Sequence, residues 1–428
     1  MPHADLLSQP AEVENAPPIL ANGNDAASHY IAVARALRPL LSQYAAQAEQ
    51  DGRVAKPVMD ALWDAGLFHV TVPLRSGGPA LTLSAHTQII GELAKACPGS
   101  AWAYGLLSGV TGTAKAMPET VQRSLFRTGK ELFCSVSANN GIATPVEGGY
   151  KVQGEWGYGS GCLHASWALN GLQLRNENGE LEEMALGFID LTNKKTVEII
   201  HDWNVAGLSG SGSNRIKANQ HFIPHHLLIR PSQTPPPEAL HGLQGLEPRD
   251  FWPWEPLFAL GVLSPILGAA SGLCEMVLGK MENRKVIGWH YDSQASSHLL
   301  LHKAGEAAMK IESAWMHVER ACNVMDNIAP KRLASPFEKS RAQADCGYAM
   351  GLVKEASNIL MDIAGPGGFA LANAMQRLWR DINLGSRHNA LNAGLSLELY
   401  GRALTGQSSN ITLLGEIAPS EAEREHLF

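Results

Sequence analysis

The period of the hydrophobic pattern changes twice along this chain, and that change limits the folds open to it. From Ala27 to about Gly129 apolar residues recur at helical spacing. In IAVARALRPLLSQYAAQAEQ, Ile31, Leu37, Leu40, Leu41 and Tyr44 fall near one face, and Pro39 predicts a kink. PVMDALWDAG reads as a short helix, with Pro57 in its first turn and Gly66 just past its end. AHTQIIGELAKAC repeats the 3.6-residue pattern, and Ser100 is placed to cap a helix beginning AWAYGLLSG. From Leu132 to about Arg230 the period drops to two. LFCSVS, YKVQGEW, WALNGLQL, MALGFID and TVEIIH are short alternating runs separated by turn residues, the pattern of an antiparallel β-domain. From about Leu257 to Leu404 long helical patterns return and predict an up-and-down bundle of four helices.

The fold expected is therefore mostly α with a central β-domain. The expected divisions are a flexible tail (1–28), an N-terminal helical domain (29–130), the β-domain (131–235), a Pro-rich connector (236–256), a C-terminal four-helix bundle (257–410) and a C-terminal tail (411–428). With 428 residues, 45% hydrophobic and 18% charged, there is ample chain to bury a core. The formal charge of −7 gives no basic footprint for nucleic acid and none for an anionic membrane. Six cysteines without a C-x-x-C pair suit a reducing, cytoplasmic compartment rather than a disulfide scaffold or zinc ribbon. The first residues lack the basic and apolar regions of a signal peptide. The uncharged stretch Pro256–Cys274 carries Pro265, Ser264 and Ser271, and reads as a buried bundle helix.

Several chemistries have no motif here. There is no P-loop, no G-x-G-x-x-G after a strand, no H-E-x-x-H and no G-x-S-x-G elbow. His225 and His226 follow Pro224 and read as loop histidines, so no metal site is expected.

Five segments stand out: ALWDAGLFHVTVPLRSGGPALT (61–82), ELAKACPGSAW (92–102), GGYKVQGEWGYGSGCLHASWALNG (148–171), WNVAGLSGSGSN (203–214) and GPGGFALANAMQRLWRDINLGSRHNALN (365–392). In this order, over nearly all of the chain after residue 28, they resemble the acyl-CoA dehydrogenase superfamily. CPGSAW, the G-x-W-x-x-x-S-G segment and RDINLGSRHNALN are closer to one branch, the oxygenase components of two-component flavin-dependent monooxygenases. Examples are p-hydroxyphenylacetate hydroxylase and dibenzothiophene monooxygenase. Two departures stand out. No E-G-T follows the Arg380-Asp381 pair, and Gly210-Ser211-Gly212-Ser213 stands where the family commonly has G-T-G-S.

The resemblance implies reduced FMN or FAD delivered by a separate NAD(P)H:flavin reductase, and O2 as co-substrate. It implies reaction through a C4a-(hydro)peroxyflavin, hydroxylation of an aromatic or polycyclic small molecule, and a homotetramer. N- or S-oxygenation, or an acyl thioester dehydrogenase, is the alternative. Such chemistry needs a dry pocket, a partner for flavin N5 and an acid or base near the oxygen. Ser160, between two glycines, reads on spacing alone as a turn residue; the resemblance makes it the hydroxyl that holds the flavin adduct. His388 titrates near neutrality and is by resemblance the active-site base. Trp102, Ser135, Ser137 and Trp156 are candidates for lining the flavin, the tryptophans being equally explained as core. His86, His164, His290 and Tyr291 are weaker candidates for substrate contact, and Arg380-Asp381 reads as a structural ion pair.

Overall fold

The structure is a computed structural model that describes residues 23–235, 237–411, 414–425 and 427. Six helices come first: α1 (Gly23–Ala36), α2 (Arg38–Asp51), α3 (Lys56–Asp64), α4 (Leu83–Ala94), α5 (Pro98–Ala116) and α6 (Glu119–Leu125). Seven strands follow: β1 (Phe133–Val146), β2 (Gly149–Gly159), β3 (Trp167–Arg175), β4 (Leu181–Asp190), β5 (Val197–Ile200), β6 (Asn214–Pro224) and β7 (Leu228–Ile229). After the short α7 (Pro237–Leu240) come α8 (Trp254–Met281), α9 (His298–Asn323), α10 (Pro336–Ala364), α11 (Ala374–Gly385), α12 (Ala393–Thr405) and α13 (Glu421–Arg424).

Most sequence signals act where expected. Pro39, at the start of α2, separates it from α1. Gly66 follows α3 in the left-handed region, φ 68°. Ser100 does not cap α5: that helix starts at Pro98 with Cys97 at its N-cap, because proline's missing N–H and fixed φ suit the first helical position. Helix α1 begins at Gly23, inside the span expected to be a tail; residues 1–22 lie outside the described residues.

The sheet is one seven-stranded layer in the order β5-β6-β2-β1-β3-β4-β7. It is not wholly antiparallel. After the β1–β2 hairpin, the 160–166 crossover carries the chain past β1, so β3 lies parallel to β1 while the other pairs are antiparallel. Strand β6, which the sequence reading passes over, turns Ile216, Ala218, His221 and Ile223 inward and pairs with β2 and β5.

The three sequence blocks are not three cores. Apolar residues of α1–α6 and of the sheet form one continuous cluster, from Tyr30 and Phe68 to Phe133 and Trp156. The bundle forms a second cluster that also takes in Leu83 and Trp102. Helix α8 has the length and apolarity of a membrane span, but 78% of its most apolar window is buried within the protein. The expected C-terminal tail packs as well: Leu414 and Ile417 bury against Phe337, Leu399 and Ala403. The connector plugs into the first domain, where Arg249 donates to the Thr71 carbonyl and, at 3.2 Å, to Thr113 Oγ1.

Domain docking is fixed by specific polar contacts. Helix α9 ends in a π-helical turn, Val324–Ile328, which aims Asp326 at the start of α4. Its carboxylate accepts from Leu83 N at 2.8 Å and Ser84 N at 2.9 Å, satisfying two orphan donors of that helix. Asp326→Ala strands both amides and is expected to cost about 2 kcal/mol. Asp326→Asn keeps an acceptor and loses less; urea midpoints of the two variants check the order.

Candidate active site

The site is assembled around the turn Leu208–Ser213, which links β5 to β6. The turn lies between helices: a Cβ on Gly210 would stand 3.3 Å from Ala48 of α2, and one on Gly99 of α5 would stand 3.2 Å from the Gly210 backbone. Both contacts are tighter than ordinary van der Waals distance, so a side chain at either position would push the turn and the helices apart by a few tenths of an ångström. Leu208 is buried and holds a left-handed φ of 52°, costly for a branched side chain. Two contacts hold it. Its amide donates to Asp381 of α11, and its carbonyl accepts from Trp203 Nε1 at 3.1 Å.

Arg380 and Asp381 are therefore not an ion pair with each other. Neighbouring helix positions point about 100° apart, so each finds its own partner. Arg380 bonds Glu49 of α2 and the Ala206 carbonyl, and Arg377 bonds Glu49 at 2.9 Å. Burial pushes the Asp381 carboxyl up to about 7.

This framework aligns four polar side chains. Trp102 Nε1 donates to Ser160 Oγ at 3.1 Å. Ser160 Oγ lies 2.7 Å from Ser213 Oγ, which lies 2.7 Å from Ser211 Oγ. The Ser160 turn is stitched to the same loop, Gly161 N donating to the Ser211 carbonyl at 2.9 Å. His388 follows α11. Its ring sits 6.0 Å from Trp102 and 5.4 Å from Phe258, centroid to centroid. Ala390 N donates to His388 Nδ1 at 3.3 Å, which leaves the proton of the neutral ring on Nε2. Burial lowers the pKa of this imidazole, so it is neutral at neutral pH.

Trp102, Ser160 and His388 are thus brought together from α5, the β2–β3 crossover and the segment after α11. The remaining candidates lie elsewhere. Trp156 is wholly buried in the sheet core, with Nε1 bonded to the Gly171 carbonyl at 2.9 Å, and offers no face to a ligand. Ser135 donates to the Leu169 carbonyl across β1 and β3, and Ser137 lies where the register of that pair shifts. His86 is enclosed, bonded to Ser108 Oγ at 2.7 Å and edge-on to Tyr104. His164 is half-buried with Nε2 unpartnered and has Arg53 as its charged neighbour. His290 and Tyr291 are exposed on the α8–α9 loop. Sequence reasoning misses Ser211, Ser213, Phe258 and the loop-clamping part of Asp381. The segment 203–214 stands out for its glycines, whereas its hydroxyls make the contacts.

A cavity of about 710 Å³ opens next to the crossover, lined by Cys162, Leu163, Lys194, Lys195, His201 and Lys217 among others. It shares the crossover with Ser160 but none of the Trp102, Ser160, His388 group lines it.

Buried histidines set the acid limit of this fold. Burial lowers the pKa of His69, His86, His164, His221 and His388, to about 3 at His86 and about 4 at His164. An unfolded histidine titrates near ~6.5, so below that pH the unfolded chain binds protons that the folded chain refuses. Asp381 and Asp326 work in the opposite sense, their raised pKa values adding stability as pH falls, through about 7 for Asp381. Five histidines outweigh two carboxyls. The melting temperature is expected to fall from pH 7 to pH 5, with net proton uptake on unfolding at pH 5 in calorimetry. A flat or rising melting temperature would contradict this balance.

The chain matches two family models, the acyl-CoA dehydrogenase N-terminal domain over residues 31–123 and the C-terminal domain over residues 260–393. It is 26% identical to the flavin-dependent monooxygenase oxygenase subunit HsaA of Rhodococcus jostii, over 86% of this chain and 95% of that one. It is 26% identical to the oxygenase component of p-hydroxyphenylacetate 3-hydroxylase of Acinetobacter baumannii, over 88% and 89%. XiaF of a Streptomyces species, solved with FADH2 and glycerol, superposes with a TM-score of 0.85 at 25% identity over 91% and 98%. With both domain models in place around the intervening sheet, the chain belongs to the acyl-CoA dehydrogenase family, among relatives that are oxygenase components of flavin-dependent monooxygenases.

Proposed function

We infer that the protein is the oxygenase component of a two-component flavin-dependent monooxygenase that hydroxylates an aromatic or polycyclic small molecule. The observation that carries this reading is the convergence of Ser160, Trp102 and a neutral His388 beside Phe258. A hydroxyl set among aromatic faces suits a planar ring with a polar edge, so these residues fit a flavin. The flavin when bound supplies the redox chemistry that activates O2. Ser160 is the hydrogen-bonding group at the ring edge, and Trp102 orients it. Phe258 and Trp102 exclude water. His388 presents its Nε2 proton and handles proton transfer at the substrate. Reduced flavin comes from a separate reductase, consistent with the absence of a nicotinamide motif. FMN and FAD both carry phosphate, and the cavity beyond the crossover offers Lys195 for it, beside Lys194 and Lys217, which already bond the Leu191 carbonyl and Glu155.

The acyl thioester dehydrogenase alternative needs a carboxylate base. Glu398, the next acid after His388 in sequence, instead pairs with Arg402 on α12 at 2.8 Å. A homotetramer built on the bundle is part of the proposal, and exposed Met309 and Met316, seven residues apart on α9, support it. The six buried, unpaired thiols suit the cytoplasm.

With a flavin reductase and a panel of phenolic substrates, Ser160→Ala is expected to keep oxygen consumption but divert it to hydrogen peroxide. His388→Asn is expected to lower hydroxylation by roughly a hundredfold or more. Product and peroxide yields per NADH consumed check both. Full coupling in both variants would remove these residues from the chemistry.

A further inference from the structure

We propose that Ser213, relayed from Ser211, fixes the direction of the Ser160 hydroxyl so that Ser160 faces the flavin as a hydrogen-bond donor and not as an acceptor. This rests on the reading of Ser160 as the flavin-facing group, and specifies how that group is set.

The hydroxyl protons along this chain of side chains can be counted. Trp102 Nε1–H can only donate, and it occupies one acceptor site of Ser160 Oγ. Three hydroxyl protons remain, on Ser160, Ser213 and Ser211, with two contacts of 2.7 Å between them. One proton must lie outside those two contacts. Ser211 is 1% exposed, and among the described residues its hydroxyl has no partner besides Ser213. Were Ser160 to donate to Ser213 and Ser213 to Ser211, the proton left over would be that of Ser211, sealed in protein; were Ser160 and Ser211 both to donate to Ser213, it would be that of Ser213, 3% exposed and sealed likewise. An unmade hydrogen bond of that kind is the costly one. Run the other way, Ser211 donates to Ser213, Ser213 donates to Ser160, and the spare proton is that of Ser160, beside Trp102, the side the flavin is proposed to occupy. Both acceptor sites of Ser160 are then filled, so only its proton is available to a ligand. Aligned hydroxyls also polarise one another and strengthen the last donor. Ser213 is a positioning residue here, acting through Ser160. The loop that holds it is pinned by the Asp381–Leu208 bond and by the Gly99–Gly210 contact, so the relay cannot easily turn aside.

The test uses the full chain and reduced FMN and reduced FAD as probes in anaerobic titrations. Ser160→Ala, Ser213→Ala, the double variant and Ser213→Thr are compared. Ser213→Ala is expected to weaken binding roughly three- to tenfold. The double variant should bind no more weakly than Ser160→Ala alone, because Ser213 acts through that hydroxyl. Ser213→Thr, which keeps the donor, should restore binding. A flavin-free readout accompanies it: the Trp102 indole N–H resonance, assigned from its loss in Trp102→Phe, should shift in Ser213→Ala and return in Ser213→Thr. Should the alanine variant not fold, Ser213→Cys keeps the volume with a weak donor and is expected to behave alike. Ser213→Ala binding as wild type beside a weakened Ser160→Ala overturns the relay alone, as do fully additive losses. Wild-type binding by Ser160→Ala overturns the relay together with the reading on which it rests.

Discussion

The backbone amide of Leu208 donates to the carboxylate of Asp381, and the arrangement of the site depends on that bond. It ties the β-domain to α11, and it holds a leucine in a left-handed conformation that the isolated loop would relax. From that fixed point the chain runs through Gly210, pressed between α2 and α5, to Ser211 and Ser213. The hydroxyls that meet Ser160 are therefore placed by three structural layers at once. Loosening any one layer would move the site.

The chemistry follows from what surrounds those hydroxyls. Trp102 and Phe258 bring apolar area to the group while contributing a single donor between them, so the polar groups that remain are few and directed. His388 is kept neutral by burial, with Nδ1 occupied by a backbone amide. To act as a base toward the ligand it must exchange that contact, whereas as a donor through Nε2 it needs no rearrangement. On the proposed reading of His388 as the proton-transfer residue, this geometry favours its handing over a proton before it receives one.

Much of the fold was legible because the hydrophobic period is a direct record of which element faces a core. The switch from 3.6 to 2 and back locates the sheet between two helical bodies. Proline and glycine positions mark helix ends within a few residues, apart from Ser100, where Pro98 takes the start of α5. Periodicity does not say which strands become neighbours, so the parallel β1–β3 pair and the place of β6 stayed hidden. The site was legible only in part, for a related reason. Spacing shows that Ser160 sits among glycines, but not that Trp102 reaches it from a helix 58 residues away. Trp156 and His86 carry the right chemistry, and facing alone disqualifies them: one points into the sheet core and the other into a helix packed on several sides. Ser211 and Ser213 resemble ordinary turn residues until the loop is folded against α5.

The central claim is that this site holds a reduced flavin and lets it react with oxygen without at once losing peroxide. The direct measurement is anaerobic premixing of the protein with reduced FMN or FAD, followed by rapid mixing with oxygenated buffer in the absence of substrate. The account predicts a long-lived absorbance transient distinct from the reduced and oxidised flavin spectra, present with the preferred flavin and shortened in Ser160→Ala. Direct return to oxidised flavin, at the rate seen for free flavin and unchanged by an aromatic substrate, would contradict it.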